Sequence, residues 1–380
     1  MSLEHTRRYF DWASTAVPDG GFSDAPFGNP SSRHKEGREA RAALETARNL
    51  CAEVLGARAE QLYFTSGGSE SNAIVLHGLL LRQSPGVILV SAAEHPSIRE
   101  NRLVLERLGK RTGVVGVGKD GRVSPETLEQ ALKKYPDARF AAIMGVNNET
   151  GAVSDLPGLA EILARNRVRF HCDMVQAIGK IPADITLADS ASISAHKLGG
   201  PRGIGLLYLR KPLDPISAGG GQERGVRPGT ENVAAALAFA ERLSRRARPD
   251  RLSAAYRDAG DRFRRLIAGL RTISACRLIP EDRGETDDRF SPYILQAACR
   301  GIPGEVMVRA LDDRGFAVST GSACSSARQD RPVLRAMGAD DQTALEGFRI
   351  SQGWSTTSED IEALLESIEK ISAQFGRPVC

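Results

Sequence analysis

The sequence predicts an α/β protein: a large domain with a mostly parallel mixed sheet flanked by helices, and a smaller α+β domain after it. Two observations point there. Short apolar runs of strand length alternate with longer segments of helical periodicity across roughly the first 250 residues. Beyond that point, helices and short strands follow one another without regular alternation. A chain of 380 residues is long enough to fill two cores.

Residues 33–55 read as an amphipathic helix, with Ala40, Ala43, Leu44, Ala47, Cys51, Val54 and Leu55 on one face and Gly56 as its stop. A strand at 61–65 runs into Ser66-Gly67-Gly68-Ser69, and a helical run begins at Glu70. Further strands are expected at 87–91, 140–146, 168–172, 191–195 and 204–209, with helices at 124–134 and 156–165. Helical periodicity returns at 230–246 and 254–270. The smaller domain then holds strands at 293–298, 317–320 and 347–351 and helices at 304–314 and 358–372. The expected division is a large domain over 15–249 and a small one over 250–380, which also takes in residues 1–14.

Hydrophobic residues make up 41% and charged residues 26%, an ordinary globular balance. The formal charge is +4, but basic and acidic residues are interleaved, which argues against a nucleic-acid surface. The arginine-dense stretch 242–251 reads as a solvated helix face. The longest apolar stretch, 73–81, is interrupted by His77 and Gly78 and is too short to cross a bilayer. The polar first ten residues lack the apolar core of a secretory signal. Six scattered cysteines without a C-x-x-C pair argue against a disulfide framework or a structural zinc site, and fit a cytoplasmic protein.

The chemistry is concentrated at predicted strand ends. An apolar run closes in Ser194-Ala195-His196-Lys197, followed by Leu198-Gly199-Gly200-Pro201. A lysine desolvated at a strand end can lose its proton readily enough to serve as a Schiff-base amine. Another run ends in His171-Cys172-Asp173, and an aspartate is what holds a pyridinium nitrogen protonated. The pair suggests pyridoxal phosphate (PLP) chemistry. Ser66-Gly67-Gly68-Ser69 lies between a strand and a helix, where backbone N–H groups can meet an anion, although taken alone it reads better as an ordinary N-cap turn. His95 and Asn148 follow two other strands. A histidine there can stack on a flat ring or move protons, and an asparagine can bind a carboxylate, but both types are common in plain turns. Open α/β sheets bind ligands along this edge.

Six stretches together resemble the cysteine desulfurases, PLP enzymes of the class V aminotransferase group with fold type I. They are Phe27 to His34; Phe64-Thr65-Ser66-Gly67-Gly68-Ser69-Glu70-Ser71-Asn72; Val146-Asn147-Asn148-Glu149-Thr150-Gly151; His171 to Ala177; Ser194 to Gly205; and Gly219 to Arg224. The resemblance implies that Lys197 carries the cofactor and that Asp173 pairs with its ring nitrogen. It implies that His95 stacks on the ring and moves protons, and that Gln176 meets the ring hydroxyl. Gly68, Ser69, Ser194 and His196 would form the phosphate site, and Asn148 would serve both cofactor and substrate. Thr230 would complete the phosphate site of a second subunit, which implies a homodimer with shared active sites. Arg349 would hold the α-carboxylate of L-cysteine by a bidentate contact.

Ser319-Thr320-Gly321-Ser322-Ala323-Cys324-Ser325-Ser326-Ala327 is a run of small residues in which a thiol can travel and meet solvent. Cys324 matches the family's persulfide-forming cysteine, in the subgroup with a long loop. It would pass sulfur to an acceptor protein serving iron–sulfur cluster assembly or tRNA thiolation. Cys51, Cys276 and Cys299 lie in apolar segments and read as packing, as does Cys172, while Cys380 is terminal. Several positions depart from the family pattern. Trp12 stands where a small amide is usual and is expected to reshape the substrate mouth. Pro228 replaces a serine, Ser69 a threonine, and Gln352 and Trp354 a leucine and an arginine. The competing readings are a selenocysteine lyase, a cysteine β-lyase, and a degenerate PLP-fold binding subunit. The thiol run counts against a simple lyase, and Lys197, Asp173, His95 and Cys324 together count against an empty site.

Overall fold

The computed structural model describes residues 7–19, 25–82, 86–214, 216–321 and 331–375. Cys324 and Cys380 lie outside the described residues. The strands are β1 (Arg8–Tyr9), β2 (Leu62–Thr65), β3 (Val87–Ser91), β4 (Thr112–Val115), β5 (Ala138–Ala142), β6 (Arg169–Asp173), β7 (Ser190–Ser194), β8 (Gly205–Leu209), β9 (Cys276–Ile279), β10 (Ile294–Cys299), β11 (Phe316–Ala317) and β12 (Gly347–Ser351). The helices are α1 (Lys35–Leu55), α2 (Gly68–Gly78), α3 (Pro96–Arg107), α4 (Pro125–Lys134), α5 (Leu156–Arg165), α6 (Val233–Ala247), α7 (Pro249–Thr272), α8 (Gly304–Asp312), α9 (Pro332–Ala336), α10 (Asp341–Glu346) and α11 (Ser358–Phe375).

Local chemistry sets the helix ends. The His34 side chain caps α1 by accepting from the Gly37 amide, and Gly56, at φ 65°, closes it in the left-handed region. Ser124 and Thr127 form a reciprocal cap at the start of α4, with Pro125 in the first turn.

The main sheet has seven strands in the order β2-β8-β7-β6-β5-β3-β4. Its neighbours pair in parallel, except that β8 runs antiparallel to both β2 and β7. Strands β2, β3, β7 and β8 are buried along their whole length, as a sheet covered on both faces requires. One face packs Ala40, Leu44, Leu128, Leu159 and Phe239 from α1, α4, α5 and α6. The other packs Val75, Leu76, Ile98 and Leu105 from α2 and α3. The mostly parallel mixed sheet expected from the sequence is thus present.

A second, antiparallel sheet runs β12-β10-β9, and its core joins Phe263 and Leu266 of α7 to Leu364 and Ile368 of α11. Phe10 belongs to this core, and β1 pairs in parallel with β11. Arg283, only 1% exposed, ties this sheet to the first. Its guanidinium lies between the Phe263 and Phe290 rings and donates to the carbonyls of Thr150, Ser291 and Ile294.

Three features differ from the sequence reading. Strand β4 holds a glycine and alternates buried with exposed positions, so no apolar run marks it. Helix α3, which the sequence reading did not include, buries only Ile98 and Leu105 and starts at Pro96. A disulfide joins Cys276 and Cys299, which the scattered cysteine spacing argued against. The two residues lie opposite one another on β9 and β10, and sheet register, not sequence spacing, brings them together.

Candidate active site

The loops after β2, β3, β6 and β7 meet at one edge of the main sheet and enclose a cavity of about 320 Å³. Gly68, Ser69, His95, Asn148, Asp173, Gln176, Ser194, His196, Lys197 and Arg349 all line it. Of the other residues proposed from the sequence, Thr230 does not. Thr230 is exposed just ahead of α6, and Cys324 lies outside the described residues.

Lys197 sits in the short helical turn that closes β7, ended by Gly199 at φ 78°. Its Nζ donates to the carbonyl of Ala13 at 2.6 Å and to that of Ser14. Asp173 ends β6. Its Oδ1 accepts from the Val175 amide at 3.0 Å and its Oδ2 from Asn72 Nδ2 at 2.8 Å.

Asn72 is the centre of a buried network that sequence reasoning missed. Its Oδ1 lies 2.9 Å from His171 Nε2, and its Nδ2 also reaches Ser97 Oγ at 2.8 Å. Ser97 Oγ in turn lies 2.8 Å from His95 Nδ1, which also accepts from the Ser97 amide. A ring nitrogen that accepts from a backbone N–H carries no hydrogen, so neutral His95 has its hydrogen on Nε2. Burial, more than the neighbouring charges, holds the His95 pKa below its usual value. Burial likewise lowers His171 to about 4. The two ends of the network, Asp173 and His95, are therefore held by one asparagine. Asn72→Leu leaves Asp173 and His171 each short of a buried partner and should cost about 1–3 kcal/mol of stability in denaturant unfolding. A loss below about 0.5 kcal/mol, the scale of a surface change, would contradict this role.

The cavity's other pole suits an anion. Gly67 and Gly68 open α2 without a side-chain cap, so its first N–H groups face outward. Close packing favours glycine at 68 and 205: a Cβ on Gly68 would lie 2.5 Å from Val175 Cγ2, and one on Gly205 would lie 2.6 Å from Gly67 Cα. Ser69, Ser194 and His196 supply hydroxyls and an imidazole around this turn. Burial, followed by the Lys197 and Lys180 cations, pushes the His196 pKa down to about 3. His196 is therefore a neutral hydrogen-bonding group at neutral pH, with Nδ1 set 3.1 Å from Thr15 Oγ1.

Arg349 forms the opposite wall. It is 2% exposed, and it donates through Nη1 to the carbonyls of Asn148 and Gly321 at 2.8 and 2.9 Å. Its Nη2 meets Asp11 Oδ1 at 2.7 Å and Ser14 Oγ at 2.6 Å. The guanidinium already holds one carboxylate, so a carboxylate ligand would share or displace the Asp11 contact. Asn147 fixes the loop beneath it, accepting from the Glu149 and Thr150 amides and donating to the Ala93 carbonyl.

Trp12 departs from the expectation that it reshapes the mouth of this cavity. It is buried and lines a second cavity of about 220 Å³ behind Lys197. There its ring meets Trp354 edge-on at 4.6 Å, and Arg246 lies 3.7 Å over the Trp354 ring. The indole was drawn away from the mouth by an apolar partner that the sequence places more than 300 residues later.

Glu94, beside His95, links two strand ends by accepting from Ser91 Oγ and the Met144 amide. Burial raises its carboxyl from 4.5 to about 8. The folded protein therefore keeps a proton that the unfolded chain releases, and stability contributed by this group falls as pH rises from about 4.5 to about 8. Glu94→Gln removes that slope. Denaturant unfolding at pH 6 and pH 8 should show a smaller loss in the variant, by up to about 1.4 kcal/mol per pH unit. Equal losses in both proteins would contradict the burial of an uncharged Glu94.

The family model described as aminotransferase class-V matches residues 21–364. The chain belongs to the class-V aminotransferase family. Within that family it is 38% identical over 362 residues to a NifS/IcsS protein homolog of Lactobacillus delbrueckii subsp. bulgaricus, covering 92% of this chain and 91% of that one. It is 36% identical to the cysteine desulfurase IscS of Dictyoglomus turgidum, over 92% of this chain and 89% of the relative. Among solved structures, a NifS-like protein superposes with a TM-score of 0.87 at 32% identity, covering 97% of this chain and all of the other. The NifS-like protein of Rickettsia africae superposes with a TM-score of 0.84 at 28% identity, with 97% and 100% covered. As a class-V aminotransferase, the chain has the fold type expected from its sequence. No helix among the described residues is long and apolar enough to cross a membrane. No group of metal-ligating side chains is found among the described residues.

Proposed function

We propose that this chain is a PLP-dependent cysteine desulfurase, which removes sulfur from L-cysteine to leave L-alanine and an enzyme persulfide. The observation that carries the reading is one cavity holding an amine, a fixed carboxylate and an uncapped helix N-terminus, with a guanidinium opposite. The donor set fits the cofactor. Lys197 would hold it covalently, Asp173 would meet its ring nitrogen, and the Gly68–Ser69 turn with Ser194 and His196 would hold its phosphate. When bound, the group supplies an electron sink for charge that develops on the substrate.

The chain's own residues do the rest. Asn72 fixes the Asp173 carboxylate in place by donating to its Oδ2. His95 lines the cavity as a neutral imidazole whose Nε2 carries the hydrogen and can donate it. Arg349 and Asn148 would bind the substrate α-carboxylate, exchanging the Asp11 contact for it. The Cys324 thiolate would attack the substrate sulfur. The substrate C–S bond breaks, a bond forms between the two sulfurs, and the electron pair left on carbon takes a proton, so alanine leaves with no external oxidant.

The reading extends to the assembly. Exposed Thr230 would reach a second subunit in a homodimer with shared sites. An acceptor protein would take the persulfide sulfur. The core under the second sheet, built from Phe10 and residues from Phe263 onward, supports a division into a large domain over 15–249 and a small one over 250–380 with residues 1–14. Incubation of the holoenzyme with L-cysteine and a thiol reductant tests the function. Sulfide and alanine should form in equal amounts, whereas sulfide with pyruvate would identify a β-lyase.

A further inference from the structure

Lys180 lies in the turn after β6, buried, and no part of the proposed chemistry uses it. Its Nζ donates to Gln176 Oε1 at 2.5 Å, and among the described residues it forms no ion pair with a carboxylate. Gln176 Nε2 donates to the Ala13 carbonyl at 2.8 Å, the same carbonyl that receives Lys197 Nζ at 2.6 Å. These two contacts allow the amide one orientation. A carbonyl can only accept, so it takes the NH₂ end, and the amine donor takes the oxygen end. One N–H of Gln176 then remains for the cavity that the residue lines.

We propose that Lys180 is a positioning residue that locks the Gln176 amide so that its remaining N–H meets the phenolic oxygen of the cofactor ring. The proposal rests on the PLP reading of the site. Burial, then the nearby Lys197 and Arg349 cations, push the Lys180 pKa well below the usual lysine value. The titratable groups around it are His196 and Lys197 after β7 and Arg349 on β12. Across the rear cavity they are Arg246 on α6, Asp258 and Arg262 on α7, and Tyr293.

The test is a pH titration of the visible absorbance of the resting holoenzyme, without substrate. A donor to the ring oxygen favours the deprotonated form of the bound cofactor, so Lys180→Met should raise the midpoint by about one pH unit. Gln176→Met should raise it equally, and the double variant should go no further, because both changes remove one contact. Lys180→Arg keeps a donor and should hold the wild-type midpoint. An unmoved midpoint in Lys180→Met overturns the proposal. So do shifts that add in the double variant, which would mark a plain charge effect, or a shift in Lys180→Arg, whether or not Lys180→Met folds. If wild-type protein shows no cofactor band at all, it is the PLP reading that fails.

Discussion

Lys197→Ala should lower turnover of L-cysteine by at least about 10³-fold and abolish the absorbance band of covalently held cofactor. Lys197 is placed at the end of β7 by the sheet and held over the cavity by two carbonyls of the Ala13–Ser14 segment. An alanine has no amine to bond the cofactor or to move the substrate's α-proton. The remaining anion turn and Asp173 should still bind the cofactor, without a covalent link and more weakly. Spectra taken before and after gel filtration read this directly: colour that survives in Lys197→Ala would remove Lys197 from its assigned role.

Cys324→Ser should separate sulfur transfer from cofactor binding. Sulfide release should fall by about 10³-fold or more, since a hydroxyl cannot accept the sulfur. The resting spectrum and its response to L-cysteine should stay as in wild type, because Lys197, Asp173 and the anion-binding turn are unaltered. Sulfide release at the wild-type rate would show that another group takes the sulfur. Among the described residues, Cys51 and Cys172 are free but buried, and burial pushes both thiols up, Cys51 to about 12. Neither is a reactive thiolate in the fold.

Most of the fold could be read from hydrophobic period and length, because the main strands are fully buried apolar runs and α1 keeps a clean apolar face. What escaped was decided by pairing. The glycine-containing edge strand β4 acquires its identity only from β3 beside it. The Cys276–Cys299 link follows from the register of β9 on β10. In the site, glycine, lysine, aspartate and histidine at strand ends were legible because their chemistry is tied to the end of a strand. Asn72 and Lys180 were not, because each acts through another side chain, Asp173 and Gln176, that only folding brings near. The Asp11 carboxylate on Arg349 was hidden for the same reason, at a separation of 338 residues. Trp12 shows the converse error. A departure from a family pattern was read as a change at the mouth, and its partner Trp354 places it behind Lys197 instead.

The central claim is that substrate sulfur moves onto this chain at Cys324. Mass spectrometry of the holoenzyme after a brief exposure to L-cysteine, without reductant, tests it most directly. The account predicts a Cys324 peptide heavier by one sulfur atom, alanine formed in equal amount, and loss of the added mass on reduction. An unmodified Cys324 peptide accompanied by pyruvate and free sulfide would contradict it.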